Sequence, residues 1–114
     1  MSKYHNQKTE IDGILFDSKA ESDKYLELKL MMHDHSPDGV KKFTCQPRFE
    51  LLAPFTHELT GKKHKGITYV ADFDVIYNDG RREIIDVKGI RTDVFNLKCK
   101  LFDFKYPDLI LVLE

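Results

Sequence analysis

With 114 residues the chain has room for one compact domain, and such a domain can bury a core without disulfides or a structural metal. A hydrophobic share of 41% and a charged share of 32% are those of an ordinary soluble globular protein. The net charge of −1 supplies no argument of its own for a polyanionic partner, and the longest apolar run, 109–113, is too short to span a membrane. Cys45 and Cys99 lie far apart without C-x-x-C pairing, so no disulfide framework is expected. Residues 1–10 are polar and carry no apolar stretch of a signal peptide. A reducing cytoplasm is the expected compartment, with no membrane association and no organic cofactor.

The first predicted element is a small N-terminal hairpin. Segments 9–11 and 14–16 flank Asp12-Gly13, a dipeptide suited to the positive φ angles of a tight turn. A helix is predicted over 18–32: Ser18 followed by Glu21 forms a capping box, and Tyr25, Leu28 and Met32 recur on one face. The breaker-rich segment 33–39 ends it. A strand follows over 42–52, with Phe43, Cys45, Pro47, Phe49 and Leu51 on one side and Gln46, Arg48 and Glu50 on the other. Pro47 lacks an N–H, so this strand lies at an edge or breaks there. After a polar loop over 54–66 come strands over 68–77 and 82–87, a helix over 92–105 with Thr92 as N-cap, and a last strand over 109–113. That last strand is wholly apolar, the pattern of a strand covered on both faces. The order is helix, three strands, helix, strand. The final strand–helix–strand passage calls for a parallel pair, giving an α/β fold with one mixed four-stranded sheet flanked by helices.

Within 68–77, Tyr69, Ala71, Phe73, Val75 and Tyr77 make one apolar face, while Asp72 and Asp74 interrupt the other. In 82–88, Ile84, Asp86 and Lys88 share a face. Charges inside apolar strands are costly unless they are paired or hold a cation. If Asn78-Asp79-Gly80 forms a three-residue turn with Gly80 left-handed, Tyr77 pairs with Arg81 and Asp72 stands opposite Asp86. Opposed residues have Cβ atoms about 5 Å apart, near enough for two carboxylates to share one ion. A two-residue turn would throw them onto opposite faces. Mg²⁺ or Mn²⁺ suits such a pair, because hard cations take carboxylate and carbonyl oxygens. An isolated D-x-K is most often just a salt-bridged strand end, and the Asp on the partner strand is what lifts this one above that reading.

Tyr69-Val-Ala-Asp72-Phe-Asp74 followed by Ile85-Asp86-Val-Lys88-Gly89 resembles the PD-(D/E)XK nuclease superfamily. Asp72 matches its first acidic position and Asp86-Val87-Lys88 its (D/E)-x-K. Ala71 stands where the superfamily name has Pro, and Asp86 uses Asp rather than Glu. Lys3-Tyr4, Phe16-Asp17-Ser18-Lys19-Ala20-Glu21, Gln46-Pro47 and Lys88-Gly89 are also similar to a family of small phage and prophage proteins, DUF1064, over nearly the whole chain. The resemblance implies a restriction-endonuclease-like core (α-β-β-β-α-β) in a single domain over 1–114. It implies a Mg²⁺- or Mn²⁺-dependent deoxyribonuclease in a bacterial host cytoplasm. Asp72, Asp86 and the Val87 carbonyl would bind the metal, and Lys88 would act on the attacking water. Glu21 would hold the metal or its water, beside its plainer role in the Ser18 cap.

Phosphate contact is expected from Lys62, Lys63 and Lys65, from Lys98 and Lys100, and from Gln46 and Arg48; for each, ordinary solvated surface is the competing reading. Asp74 either supports the site or faces solvent. His33 and His35 form an H-x-H without further ligands and carry little weight as a metal site. A fold this small presents one active site, so double-strand or junction cleavage would need a homodimer. The competing function is a non-catalytic nucleic-acid-binding or phage assembly protein of the same fold.

Overall fold

Residues 8–87 and 91–114 are described by a computed structural model. Their contacts group into two compact units, one comprising 8–43 and 75–81, the other 44–74, 82–87 and 91–114.

In the first unit, β1 (Thr9–Ile11) and β2 (Ile14–Phe16) form the expected antiparallel hairpin. Its turn residues Asp12 and Gly13 take φ of 54° and 78°, the two left-handed positions for which an Asp-Gly pair is suited. α1 (Lys19–Met31) begins where Ser18 Oγ accepts the Glu21 N–H at 3.2 Å, the cap read from the sequence. Its fully buried residues are Ser22, Tyr25 and Leu28. Glu21 is only half-buried and Met32, expected on the same face, is exposed. The inward stripe therefore advances in steps of three residues, and it passes one position beyond Glu21. Tyr25 packs against Phe16 and Phe43, with ring centroids at 5.1 and 5.6 Å.

Tyr25 Oη donates to Asp12 Oδ2 at 2.7 Å, and the Lys29 ammonium lies 3.0 Å from the same oxygen. The Tyr25 hydrogen bond, then Lys29, holds the Asp12 carboxyl below its usual 3.8. A carboxyl depressed in the folded state stabilises above its unfolded pKa, and this contribution disappears as pH falls through the folded value. Asp12→Asn retains an acceptor for Tyr25 but not the charge. The stability difference between the unaltered protein and this variant should be present at about pH 5 and gone by about pH 2 in urea melts.

The turn at 78–80 has the odd length on which the register argument rests. Tyr77 N–H donates to Arg81 O at 2.9 Å, Gly80 N–H to Tyr77 O at 3.0 Å, and Gly80 has φ of 93°. The Asn78 amide donates to Asp34 O and Ser36 O, both at 2.8 Å, pinning the breaker-rich segment after α1.

The two long strands read from the sequence are each broken in two. The first becomes β3 (Val40–Cys45) and β4 (Arg48–Leu52), with the break at Gln46-Pro47 as the missing N–H of Pro47 foretold. The second becomes β7 (Ile67–Val70) and β8 (Phe73–Tyr77), broken at Ala71-Asp72. The breaks are bonded to each other: Gln46 N–H donates to Asp72 O at 2.8 Å and Ala71 N–H to Pro47 O at 3.1 Å. Gln46 sits at φ of 55°, a left-handed conformation uncommon for a residue with a side chain. β8 joins β9 (Arg82–Asp86), β10 (Ile110–Leu113) and β3 in one mixed four-stranded sheet of order β10-β9-β8-β3, while β4 pairs antiparallel with β7. β9 and β10 are parallel, as the strand–helix–strand passage predicts. β10 occupies an edge and Ile110 is 61% exposed, so the expectation of cover on both faces fails: a short apolar edge strand carries the same letters as a central one. The expected polar loop at 54–66 contains a small hairpin, β5 (Phe55–Thr56) with β6 (Lys63–His64).

α2 (Asp93–Lys105) begins at Thr92, whose Oγ1 accepts the Phe95 N–H at 3.1 Å. It packs Phe95 and Phe102 onto Phe49, Leu51, Tyr69, Ala71 and Ile84. Phe102 is the hub of an aromatic group, with Phe49 at 4.9 Å, Tyr106 at 5.2 Å and Tyr69 at 5.6 Å between centroids. Cys45 and Cys99 form no disulfide, and no helix among the described residues is long and apolar enough to cross a membrane.

Candidate functional site

Asp72 and Asp86 lie at the break between β7 and β8 and at the end of β9. A ladder extended from the Tyr77–Arg81 pair sets Asp72 opposite Asp86. Asp72 stands just before β8, and its N–H donates to Ile85 O at 3.1 Å, so the last step is offset by one residue. Its carboxylate then reaches past Asp86: Oδ2 accepts the Val87 N–H at 2.6 Å. Asp72 is thus bonded to the residues on either side of Asp86, through its backbone and its side chain. With Gln46 N–H on its carbonyl, three hydrogen bonds position this half-buried residue.

Asp86 is 1% exposed and is one of two buried polar residues among those described, the other being Ser22. Its carbonyl accepts the Glu114 N–H at 2.9 Å, which ties the end of β9 to the end of the chain. Tyr69 Oη donates to Asp86 Oδ2. Asp86 Oδ1 is buried and has no hydrogen-bond partner among the described residues. Leaving a buried acceptor unsatisfied costs about 1–3 kcal/mol and more for a charged one, which makes Oδ1 a candidate ligand for a cation. Burial first, and then the Asp86 carboxylate beside it, push the Tyr69 hydroxyl upward, which keeps it a donor.

These residues fit a hard divalent cation in the chemistry of their donors: two carboxylates, one with an orphaned buried oxygen, followed directly by the Val87 peptide. Among the described residues no group of three or more His, Cys, Asp or Glu is placed to hold a metal, which leaves His33 and His35 without a partner set. The remaining donors would therefore be carbonyl, water and phosphate oxygens. Glu21 belongs to α1 in the first unit and the acid pair to the second. Lys88 lies outside the described residues.

Asp74 is engaged elsewhere. It forms a two-pronged ion pair with Arg82 at 2.9 and 2.6 Å, which raises the Arg82 pKa further and gives the Asp74 charge a structural partner. Gln46 and Arg48 are exposed, Gln46 in the strand break beside Asp72 rather than within a strand. Lys62, Lys63 and Lys65 are exposed on and beside the β5–β6 hairpin, where the Phe55 and His64 rings stack at 4.8 Å. Lys100 is exposed on α2, whereas Lys98 is half-buried and lines a cleft of about 320 Å³ with Thr68, Tyr69, Val70, Thr92, Val94 and Phe95. Tyr69 is therefore both a wall of this cleft and a partner of Asp86.

Tyr69 is the member of this constellation that sequence reasoning missed, having counted it only as apolar. The available signal was its hydroxyl: a Tyr on a buried face needs a partner for its O–H.

Fold and site together define a mixed α/β protein in which Asp72, at a strand break, is bonded to the two neighbours of the buried Asp86, beside a cleft. The chain belongs to the family described as "Protein of unknown function (DUF1064)", whose model matches residues 1–113. Comparison with curated proteins and with solved structures finds no match in either.

Proposed function

We propose that the protein is a metal-dependent endonuclease of the PD-(D/E)XK type that hydrolyses DNA phosphodiester bonds. The observation that carries this reading is the Asp86 carboxylate, buried beside Asp72 with Oδ1 unsatisfied. A buried carboxylate oxygen in that condition calls for an explanation, and a bound ion is one. The mixed four-stranded sheet, with β9 and β10 parallel across α2, supports this reading at the level of a mixed α/β fold.

In this reading Asp72, Asp86 and the Val87 carbonyl would hold Mg²⁺ or Mn²⁺. The bound ion supplies Lewis acidity toward phosphate and a water of lowered pKa. Lys88, two residues beyond Asp86, orients or deprotonates the attacking water. Lys62, Lys63, Lys65, Lys98, Lys100, Gln46 and Arg48 hold phosphates along the strand and set its position without reading its sequence. A homodimer would bring two such sites to a duplex or a junction, by analogy with the fold.

The test incubates branched, duplex and single-stranded DNA, and RNA, with Mg²⁺ or Mn²⁺, beside Asp86→Ala. The unaltered protein should cut DNA, and the variant should be slower by about a thousandfold, the equivalent of roughly 4 kcal/mol of transition-state stabilisation. Equal cleavage by both proteins removes the activity from this site. Cleavage of RNA alone moves the substrate class, and cleavage of nothing favours a binding protein.

A further inference from the structure

We infer that Tyr69 is a positioning residue: its hydroxyl engages Oδ2 of Asp86 and so presents Oδ1 to a divalent cation. The inference rests on the metal-site reading above and adds to it a residue outside the acid–lysine motif. Two independent observations carry it. The Tyr69 hydroxyl donates to one carboxylate oxygen of Asp86, while the other is buried without a partner among the described residues. A carboxylate held in this way is divided into an oxygen committed to the protein and an oxygen kept for something else.

The second observation is the rigidity of the holder. Tyr69 is 3% exposed, and its ring is flanked by Phe102 at 5.6 Å, Phe95 at 6.3 Å and Phe49 at 6.5 Å. β7 fixes its backbone through pairing with Phe49 on β4. Packing thus fixes the direction of the O–H before any ligand arrives, which is what preorganisation of a ligand oxygen requires. Tyr69 touches no reacting atom in this account and acts only through Asp86.

Tyr69→Phe keeps the ring and deletes the donor. Mn²⁺ binding to the purified full chain is measured by calorimetry for the unaltered protein, Tyr69→Phe and Asp86→Asn. The expected result is a dissociation constant raised about 10- to 100-fold in Tyr69→Phe and no binding in Asp86→Asn. If Tyr69→Phe binds Mn²⁺ like the unaltered protein while Asp86→Asn does not, the positioning role is overturned and the metal site stands. If the unaltered protein binds no Mn²⁺, or Asp86→Asn binds it equally well, both fall. Should Tyr69→Phe fail to fold by circular dichroism, the unaltered protein carrying isotope-labelled tyrosine is titrated with Mg²⁺. The Tyr69 ring resonance should then move with the binding curve, and an unmoved Tyr69 resonance at saturating Mg²⁺ overturns the role.

Discussion

Asp86→Asn is expected to raise the stability of the metal-free protein by about 1 kcal/mol or more while removing its response to Mn²⁺. The substitution keeps the volume, and the Asn carbonyl still accepts the Tyr69 hydroxyl. What it deletes is a buried carboxylate with one oxygen unsatisfied among the described residues, and the uncharged amide group that takes the place of that oxygen costs less to bury without a partner. The unaltered protein should gain about 2.7 kcal/mol when free Mn²⁺ stands at 100 times its dissociation constant, and the variant nothing. Thermal melts of both proteins with and without Mn²⁺ give all four values. A variant that melts lower without metal, yet gains as much from Mn²⁺, would mean that Asp86 is a structural acid.

Phe102→Ala is expected to cost about 3–5 kcal/mol, the range for emptying an aromatic site in a packed core. Phe102 is 0% exposed and touches the rings of Phe49, Tyr69 and Tyr106, so the void cannot be closed by a single neighbour. The melting temperature should fall by about 10–20 °C in a domain of this size. Phe104→Ala, two residues along the same helix, removes a ring that is 86% exposed and should change stability by less than about 0.5 kcal/mol. The contrast matters for the site because Phe102 is a wall for Tyr69. Calorimetric melts of the two variants check it, and equal losses would refute the packing described for α2.

Much of the fold was legible because its signals are local. The hairpin at Asp12-Gly13, the Ser18 and Thr92 caps and the three-residue turn ending at Gly80 are each specified by residues within a few positions of one another. The parallel pairing of β9 with β10 followed from the helix between them. The strand break at Ala71-Asp72 was not legible. Asp72 departs from the strand because Gln46, Ile85 and Val87 bond it from segments distant in the chain, and alternation of side chains continues across the break. The β5–β6 hairpin has two residues per strand, too few to show a period. The exposure of Ile110 depends on which strand ends the sheet, which apolar letters alone do not encode.

For the site, the acid pair was readable because carboxylates inside apolar strands are costly and therefore informative. Asp74, equally conspicuous in the sequence, is matched by Arg82 eight positions along, a pairing that only cross-strand register reveals. Tyr69 was hidden by its own hydrophobicity. Asp72 is tied next to Asp86 through the neighbours of Asp86, by its backbone N–H to Ile85 and by its carboxylate to the Val87 N–H.

The most direct measurement is an anomalous difference map from crystals of the full chain grown with Mn²⁺. The account predicts one peak within about 2.0–2.3 Å of carboxylate oxygens of both Asp72 and Asp86, with Asp86 contributing Oδ1. A protein that cleaves DNA with Mn²⁺ but shows its bound ion away from these two aspartates would contradict it.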